Sequence, residues 1–121
     1  MIVGVGTDII EIKRVEKALN DKFIKTLFNE EEYRYEDKSL RLESVAGKFA
    51  AKESVAKALG TGFRGFSFKD IIILKDDIGK PYVKLMNKAK TIAESYGNYK
   101  IHLSISHSKE NAIAYAILEV L

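Results

Sequence analysis

The sequence contains no cysteine among its 121 residues. Neither a disulfide framework nor a thiolate metal site is therefore available, and this fits a protein of a reducing compartment. The apolar stretch at residues 1–10 is far shorter than a membrane span, carries Asp8, and lacks the basic flank of a signal peptide. We interpret it as a strand of the mature fold, and we expect a cytoplasmic protein with no membrane partner.

A strong charge of one sign is also missing. The net charge is +3 at pH 7 with a pI near 9.0, which favours acidic partners but does not by itself indicate nucleic acid. The strands lack the basic and aromatic pattern of RNA-recognition modules. There is no repeat, linker or low-complexity segment, and 46% hydrophobic content suffices for a modest core. The sequence predicts a single domain over residues 1–121.

Hydrophobic periodicity and turn residues predict an α+β fold. The predicted strands are residues 2–10, 66–74, 82–85, 99–107 and 111–120. The predicted helices are residues 11–19, 21–28, 30–37, 40–59 and 88–96, with Asn87 as a cap of the last one. The last four strands form two antiparallel hairpins, and the helix over 40–59 is by far the longest.

That long helix carries an unusual pair of charges. Stepping about 100° per residue places Glu53 and Lys57 in the same arc as its apolar side chains. Those side chains are Leu42, Val45, Ala46, Phe49, Ala50, Ala56 and Leu59. Charges in such an arc need a partner. Two interpretations remain open at this point: an ordinary salt bridge between residues four apart, or a functional site.

Asp8 supplies a candidate partner. In the first strand it shares a face with Gly4 and Gly6, which either permit the close approach of another group or mark a bulge. Magnesium is commonly held by one or two carboxylates, with water and phosphate oxygens completing its shell. Asp8 and Glu53 are candidates for that pair, with Lys57 near the phosphate.

The end of the 99–107 strand holds a further candidate. His107 continues the core-facing row of this strand, whereas His102 and Ser106 face the other way. A histidine at the rim of an apolar face is more often structural than catalytic. No Gly-x-Ser-x-Gly elbow surrounds Ser106, so a serine hydrolase is not indicated.

Three blocks of the sequence together resemble the holo-acyl-carrier-protein synthases, a family of 4′-phosphopantetheinyl transferases. The blocks are GVGTDIIEI at residues 4–12, GKFAAKE at 47–53 with KALGTG at 57–62, and LSISHS at 103–108. They occur in that family's order and spacing, and the similarity spans essentially the whole chain. The resemblance implies the phosphopantetheinyl transferase fold, with a long central helix packed on antiparallel strands.

The resemblance also implies a reaction. Such an enzyme moves 4′-phosphopantetheine from coenzyme A to a serine of an acyl carrier protein, in support of fatty acid biosynthesis, and releases adenosine 3′,5′-bisphosphate. Asp8 and Glu53 match the family's magnesium ligands. Glu53 would also orient or activate the serine hydroxyl, and Lys57 matches the residue that stabilises or protonates the departing phosphate.

Further positions match coenzyme A contacts in the same family. His107 and Ser106 match residues near the adenosine and phosphate end, and Gly60 and Pro81 match pocket-lining residues. At Lys48 the sequence departs from the family, which usually has arginine there. Lysine keeps the charge but loses the planar fork that binds a phosphate through two bonds, so Lys48 is either a phosphate contact or a solvated helix lysine.

The partners follow from the same resemblance. An acidic carrier protein is expected to dock on the basic surface that bears Arg14, Lys17 and Lys22, although a charged helix face is more often simply solvated. A homotrimer with active sites between subunits is implied, with Asp8 and His107 of one chain serving Glu53 and Lys57 of the next. The alternatives are a transferase acting on peptide or polyketide carrier domains and a basic nucleic-acid-binding module.

Overall fold

The computed structural model describes residues 1–35 and 41–121 and confirms the predicted α+β fold. The chain order begins with β1 (Ile2–Glu11), α1 (Ile12–Ala18), α2 (Asp21–Leu27), α3 (Glu30–Tyr35) and the long helix α4 (Leu42–Ala58). It continues with a 3₁₀ turn (Phe68–Asp70), β2 (Ile71–Lys75), β3 (Pro81–Leu85), α5 (Asn87–Ser95), β4 (Tyr99–His107) and β5 (Asn111–Val120). The expected end of α3 and the expected start of α4 fall within residues 36–40, which lie outside the described residues.

The strands form two antiparallel sheets around α4. The larger sheet has the order β1-β5-β4, and the smaller is the β2-β3 hairpin. One face of the larger sheet packs on α4 and is built from small residues on β5, namely Ala112, Ala114 and Ala116, all fully buried. A second cluster, around Val15, Leu27 and Val45, joins α1 and α2 to the first half of α4. In the described part of the chain, no helix is long and apolar enough to cross a membrane.

Two glycines bring β1 unusually close to α4. A Cβ atom on Gly4 would overlap the carbonyl oxygen of Ala58, and one on Gly6 would overlap that of Ser54. The alternative of a bulge applies only at the start of the strand, where the register shifts between Ile2 and Gly4. The glycines therefore allow β1 to approach α4 closely, because any larger side chain would push the strand away from the helix.

Two local predictions are wrong. Residues 66–70 do not extend β2, because Ser67 and Asp70 form a capping box that turns the chain into the 3₁₀ turn. Asn87 does not cap α5 with its side chain, since its amide donates to Asp70 Oδ1 at 2.8 Å and its backbone has φ of +53°. The aromatic rings in this region pack against the core, and the ring centroids of the partly buried Phe63 and Phe68 are 4.4 Å apart.

A buried ion pair that the sequence patterns did not indicate ties these elements together. Lys52 of α4 donates to Glu32 Oε1 at 2.6 Å, and both side chains are fully buried. Its ammonium also donates to the backbone carbonyls of Leu27 (2.6 Å) and Phe68 (3.0 Å). Glu32 in turn accepts the backbone N–H of Ile73 at 3.2 Å. Burial lowers the pKa of Lys52 to about 8, and the Glu32 carboxylate opposes that fall.

We expect Lys52→Met to destabilise the protein strongly. The change leaves the Glu32 carboxylate buried without its counter-charge, which typically costs about 3–5 kcal/mol. Lys84→Met is the matched control, because it breaks the neighbouring but exposed Glu31–Lys84 pair and should cost about 1 kcal/mol or less. Urea unfolding at one fixed protein concentration measures both. Equal losses in the two variants would contradict the assigned role of the buried pair.

Candidate active site

Two of the predicted site residues, Asp8 and Lys57, meet where β1 crosses α4, and Glu53 lies within electrostatic range of both. The Lys57 ammonium lies 3.6 Å from Asp8 Oδ1 and donates a hydrogen bond to the backbone carbonyl of Thr7 at 2.9 Å. The Asp8 side chain is 18% exposed and that of Lys57 is 53% exposed, so the group opens to solvent on the lysine side. Gly6 makes this meeting possible, because a Cβ atom there would also lie 2.9 Å from Lys57 Cβ.

The two carboxylates of this group influence each other. Burial raises the pKa of Asp8, and the nearby Lys57 opposes the rise. Burial also raises the pKa of Glu53; the Asp8 charge adds to that rise, and Lys57 again opposes it. Two partly buried carboxylates within electrostatic range repel each other when both are ionised. A cation between them would relieve that repulsion.

The donor set fits a hard divalent cation. Asp8 and Glu53 offer oxygen ligands, leaving most of an octahedral shell to water and to phosphate oxygens, as is usual for Mg²⁺. Among the described residues, no group of three or more His, Asp or Glu side chains is arranged so that it could hold a metal ion. Such a site would therefore hold the ion weakly by itself and more firmly once a phosphate is present.

The predicted environment of Lys57 is partly wrong. Glu53 is half-buried as expected, but Lys57 is exposed and contacts Asp8. The arc of apolar side chains did not predict the exposure of Lys57, because α4 is covered by protein on nearly every side. Of its residues, only Glu43 and Lys57 are exposed. Where a helix is buried all round, an apolar arc no longer marks the side that faces the core.

A second group of predicted residues lines a cleft of about 230 Å³ beside the N-terminal half of α4. Lys48, Pro81 and His107 all contribute to its walls. The remaining lining residues are Glu43, Ser44, Gly47, Lys75, Gly79 and Ile105. Lys48 is 6% exposed, and its ammonium lies 5.6 Å from the centre of the Phe28 ring. The interpretation of Lys48 as a solvated lysine is therefore wrong.

Two other predicted coenzyme A contacts lie apart from this cleft. Ser106 pairs with Ile113 on the exposed face of the large sheet, opposite to the helix-facing side. Gly60 follows the end of α4 with φ of +86°, next to the Tyr96 hydroxyl.

The exposed face of the large sheet also carries a contact that sequence spacing did not indicate. There His102 Nε2 lies 2.9 Å from Glu119 Oε1, so this histidine has an acid partner. The two lie on neighbouring strands, where only the register reveals the contact.

The predicted docking residues are all exposed. Arg14 and Lys17 lie on α1, which follows β1 without a break, and Lys22 lies on α2. Lys22 also lines a second cleft, of about 570 Å³, together with Lys25 and Lys69. The exposed residues of α1 and α2 thus include five lysines and arginines but only two acids.

The outer face of the large sheet is apolar and open. Val5 and Ile9 of β1 are 54% and 64% exposed, and Ile113 and Tyr115 of β5 are 43% and 47% exposed. These four side chains lie on neighbouring strands in register, Ile9 opposite Ile113. We call them the outer patch. Contiguous exposed apolar groups of this kind commonly mark an interaction surface.

Comparison with known proteins decides the family. The family model described as the 4′-phosphopantetheinyl transferase superfamily matches residues 4–116. The holo-[acyl-carrier-protein] synthase of Clostridium novyi is 59% identical, over 99% of this chain and 89% of its own length. The chain belongs to the holo-acyl-carrier-protein synthases. The synthase of Clostridium acetobutylicum is 58% identical over 99% of both chains.

A solved synthase structure agrees in fold. The holo-(acyl-carrier-protein) synthase of Bacillus anthracis, described in complex with CoA (3′,5′-ADP), superposes with a TM-score of 0.84. The two are 43% identical over 100% of this chain and 99% of that one. The resemblance of the three sequence blocks to this synthase family is therefore confirmed.

In this synthase chain the site residues fall into two separate groups. Asp8 lies with Glu53 and Lys57 of the same chain, whereas His107 lines the cleft. The expected division, with Asp8 and His107 together serving Glu53 and Lys57 of the next chain, is therefore wrong for Asp8. The helix explains the separation, because Lys48 and Glu53 are turned about 140° from each other around α4.

Proposed function

We propose that this protein transfers 4′-phosphopantetheine from coenzyme A to a serine of an apo acyl carrier protein, in support of fatty acid biosynthesis. The leaving product is adenosine 3′,5′-bisphosphate. The observation that carries the proposal is the meeting of Asp8, Glu53 and Lys57 at the β1–α4 crossing in a chain of this family. A cytoplasmic location stays a prediction.

The chemistry of this group suits phosphoryl-type transfer. The serine Oγ attacks the phosphorus on the pantetheine side of the pyrophosphate, a new O–P bond forms, and the bond to the bridging oxygen breaks. Glu53, whose pKa is raised, accepts the hydroxyl proton directly or through water. Lys57 stabilises the departing phosphate with its exposed ammonium. A magnesium ion held by Asp8 and Glu53 would neutralise charge on the pyrophosphate.

We expect Glu53→Gln to abolish most transfer while leaving the fold intact. The amide removes a ligand charge and the proton acceptor, so the rate should fall about 100-fold or more. The measurement is the mass gain of apo carrier protein incubated with coenzyme A and Mg²⁺, with and without excess chelator. Glu94→Gln, an exposed change on α5, is the control. Turnover like that of the wild type in Glu53→Gln would refute the assignment.

Carrier docking is proposed on the exposed basic surface formed by Arg14, Lys17 and Lys22. An acidic protein substrate would be steered to this surface and oriented so that its serine reaches Glu53, because only five residues of chain separate Asp8 from Arg14. Such steering raises the association rate more than the final affinity, and salt weakens it.

For Arg14→Glu we expect the KM for carrier protein to rise about tenfold with little change in the KM for coenzyme A. Lys90→Glu, the same charge reversal on α5, should change neither. Steady-state rates at several ionic strengths measure both, and the salt dependence of the carrier KM should become shallower in Arg14→Glu. A defect confined to coenzyme A would argue against docking at this surface.

We further propose that the outer patch joins three copies of the chain. Val5, Ile9, Ile113 and Tyr115 leave an apolar sheet face without cover in the monomer. A shared active site also accounts for the two groups of site residues, since the cleft of one subunit can face the Asp8 group of the next. In a closed homotrimer each subunit buries its outer patch against a neighbour, so no copy of the patch stays exposed.

Ile9→Glu should therefore reduce the particle mass in solution from a trimer to a monomer. A carboxylate in the centre of an apolar contact costs its desolvation energy in each subunit. Sedimentation velocity measures the change. Ile78→Glu is the control, because Ile78 is 88% exposed at the tip of the β2–β3 turn. A wild-type monomer, or an unchanged trimer in Ile9→Glu, would overturn this proposal.

A further inference from the structure

The buried face of α4 is rich in small residues. Five of its seven buried apolar side chains are alanine, and facing them are the alanines of β5 and the two glycines of β1. The five are Ala46, Ala50, Ala51, Ala56 and Ala58. Such a surface packs closely, but its ridges are shallow, so a small rotation of the helix about its own axis costs few contacts.

Glu53 is sensitive to such a rotation. Turning α4 by about 20° moves its Cα atoms by about 0.8 Å and the end of a long side chain by about 2 Å. Glu53 forms no ion pair with any residue in the ranges 1–35 and 41–121, so its direction depends on the helix that carries it. A displacement of about 1 Å at a reacting group can lower a rate about 100-fold.

Lys52 supplies the directional contacts that the alanine surface lacks. It precedes Glu53 in the chain and is fully buried. Its ammonium donates to one oxygen on each of three other segments, namely the carbonyls of Leu27 and Phe68 and the carboxylate of Glu32. An ammonium has three N–H donors, so all of them are used. A rotation of α4 would therefore break hydrogen bonds in the interior, where water cannot replace them.

The carboxylate partner of Lys52 is itself fixed. Glu32 Oε1 also accepts the backbone N–H of Asn29 at 3.0 Å, and Oε2 accepts that of Ile73 at 3.2 Å. Both oxygens thus have a donor, and the carboxylate connects α3 to β2. A fully satisfied buried network of this kind favours one arrangement of the elements it joins, because other arrangements leave a buried charge or donor unpaired.

We propose that Lys52 is a positioning residue for the transfer reaction, because it holds α4 at the rotation that directs Glu53 toward Asp8. The proposal rests on the proposed function and adds to it a residue that touches no substrate. Lys52 and Glu53 are adjacent and about 100° apart around the helix, so fixing the first also fixes the second. Uncharged side chains of similar size can stabilise an interior equally well, so the role of the buried pair is orientation.

A double variant separates orientation from stability. In Glu32→Gln/Lys52→Met no buried charge is left unpaired, and the amide oxygen can still accept a backbone N–H. We expect its urea midpoint to lie closer to that of the wild type than to that of Lys52→Met. We also expect kcat for transfer to fall about tenfold, with less than about a twofold change in the KM for carrier protein. A purely structural pair would leave kcat at the wild-type value once the protein is folded.

The exposed pair on the same helix provides the matched control. Glu31→Gln/Lys84→Met removes an ion pair of the same residue types between α3 and β3, and it should change neither kcat nor KM. Glu32→Gln alone is a second test variant, in case the double variant does not fold. It keeps an oxygen for Lys52 but weakens the hold on the ammonium, so we expect kcat to fall about threefold.

Crystal structures of the wild type and the double variant give a readout that needs no turnover. We expect the Glu53 carboxylate to move by about 1 Å or more relative to Asp8. Wild-type kcat in the folded variants, or a Glu53 carboxylate in its wild-type position, would overturn the proposal. A wild-type protein that transfers nothing, together with a displaced Glu53 in the double variant, would refute the proposed function and leave the positioning role of Lys52 standing.

Discussion

The close contact between β1 and α4 is the constraint on which the candidate active site depends. Gly4 and Gly6 leave no side chain between the strand and the carbonyl oxygens of the helix. Two residues further along the same face, the strand has Asp8, which the contact carries to Lys57 and into the electrostatic range of Glu53. A side chain at Gly6 would push β1 away from α4 and separate Asp8 from Lys57. The geometry of the site therefore depends on the glycines as well as on the charged residues.

The buried pair of Lys52 and Glu32 fixes the rotation of the same helix. Lys52 is held by three acceptors on three other segments of the chain, which leaves α4 little freedom to turn about its axis. Glu53 follows at about 100° around the helix and is thereby directed toward β1. A buried ion pair contributes little net stability against an apolar alternative, but it does specify one arrangement, and here that arrangement orients the next residue.

From local periodicity and matching motifs, the sequence predicted the order of the elements and singled out Asp8, Glu53 and Lys57 as candidate site residues. It missed the Lys52–Glu32 pair because the residues are 20 apart, and nothing in the spacing separates a buried lysine from the exposed ones around it. The exposure of Lys57 was also beyond it. This exposure depends on which faces of α4 other elements cover, and that is a property of the tertiary structure.

The separation of the two groups of site residues argues for assembly as part of the mechanism. In the proposed reaction, coenzyme A presents its pyrophosphate to Asp8, Glu53 and Lys57, and we propose that its adenosine end occupies the cleft on another side of α4. Among the described residues that line the cleft, none belongs to the Asp8, Glu53 and Lys57 group, and the proposed trimer would let two subunits supply the two parts of the site. The outer patch lies on two strands. One is β1, which carries Asp8, and the other is β5, which lies next to His107. Burying that patch would therefore hold the strand bearing Asp8 at the subunit boundary, where a neighbour's cleft can complete the site.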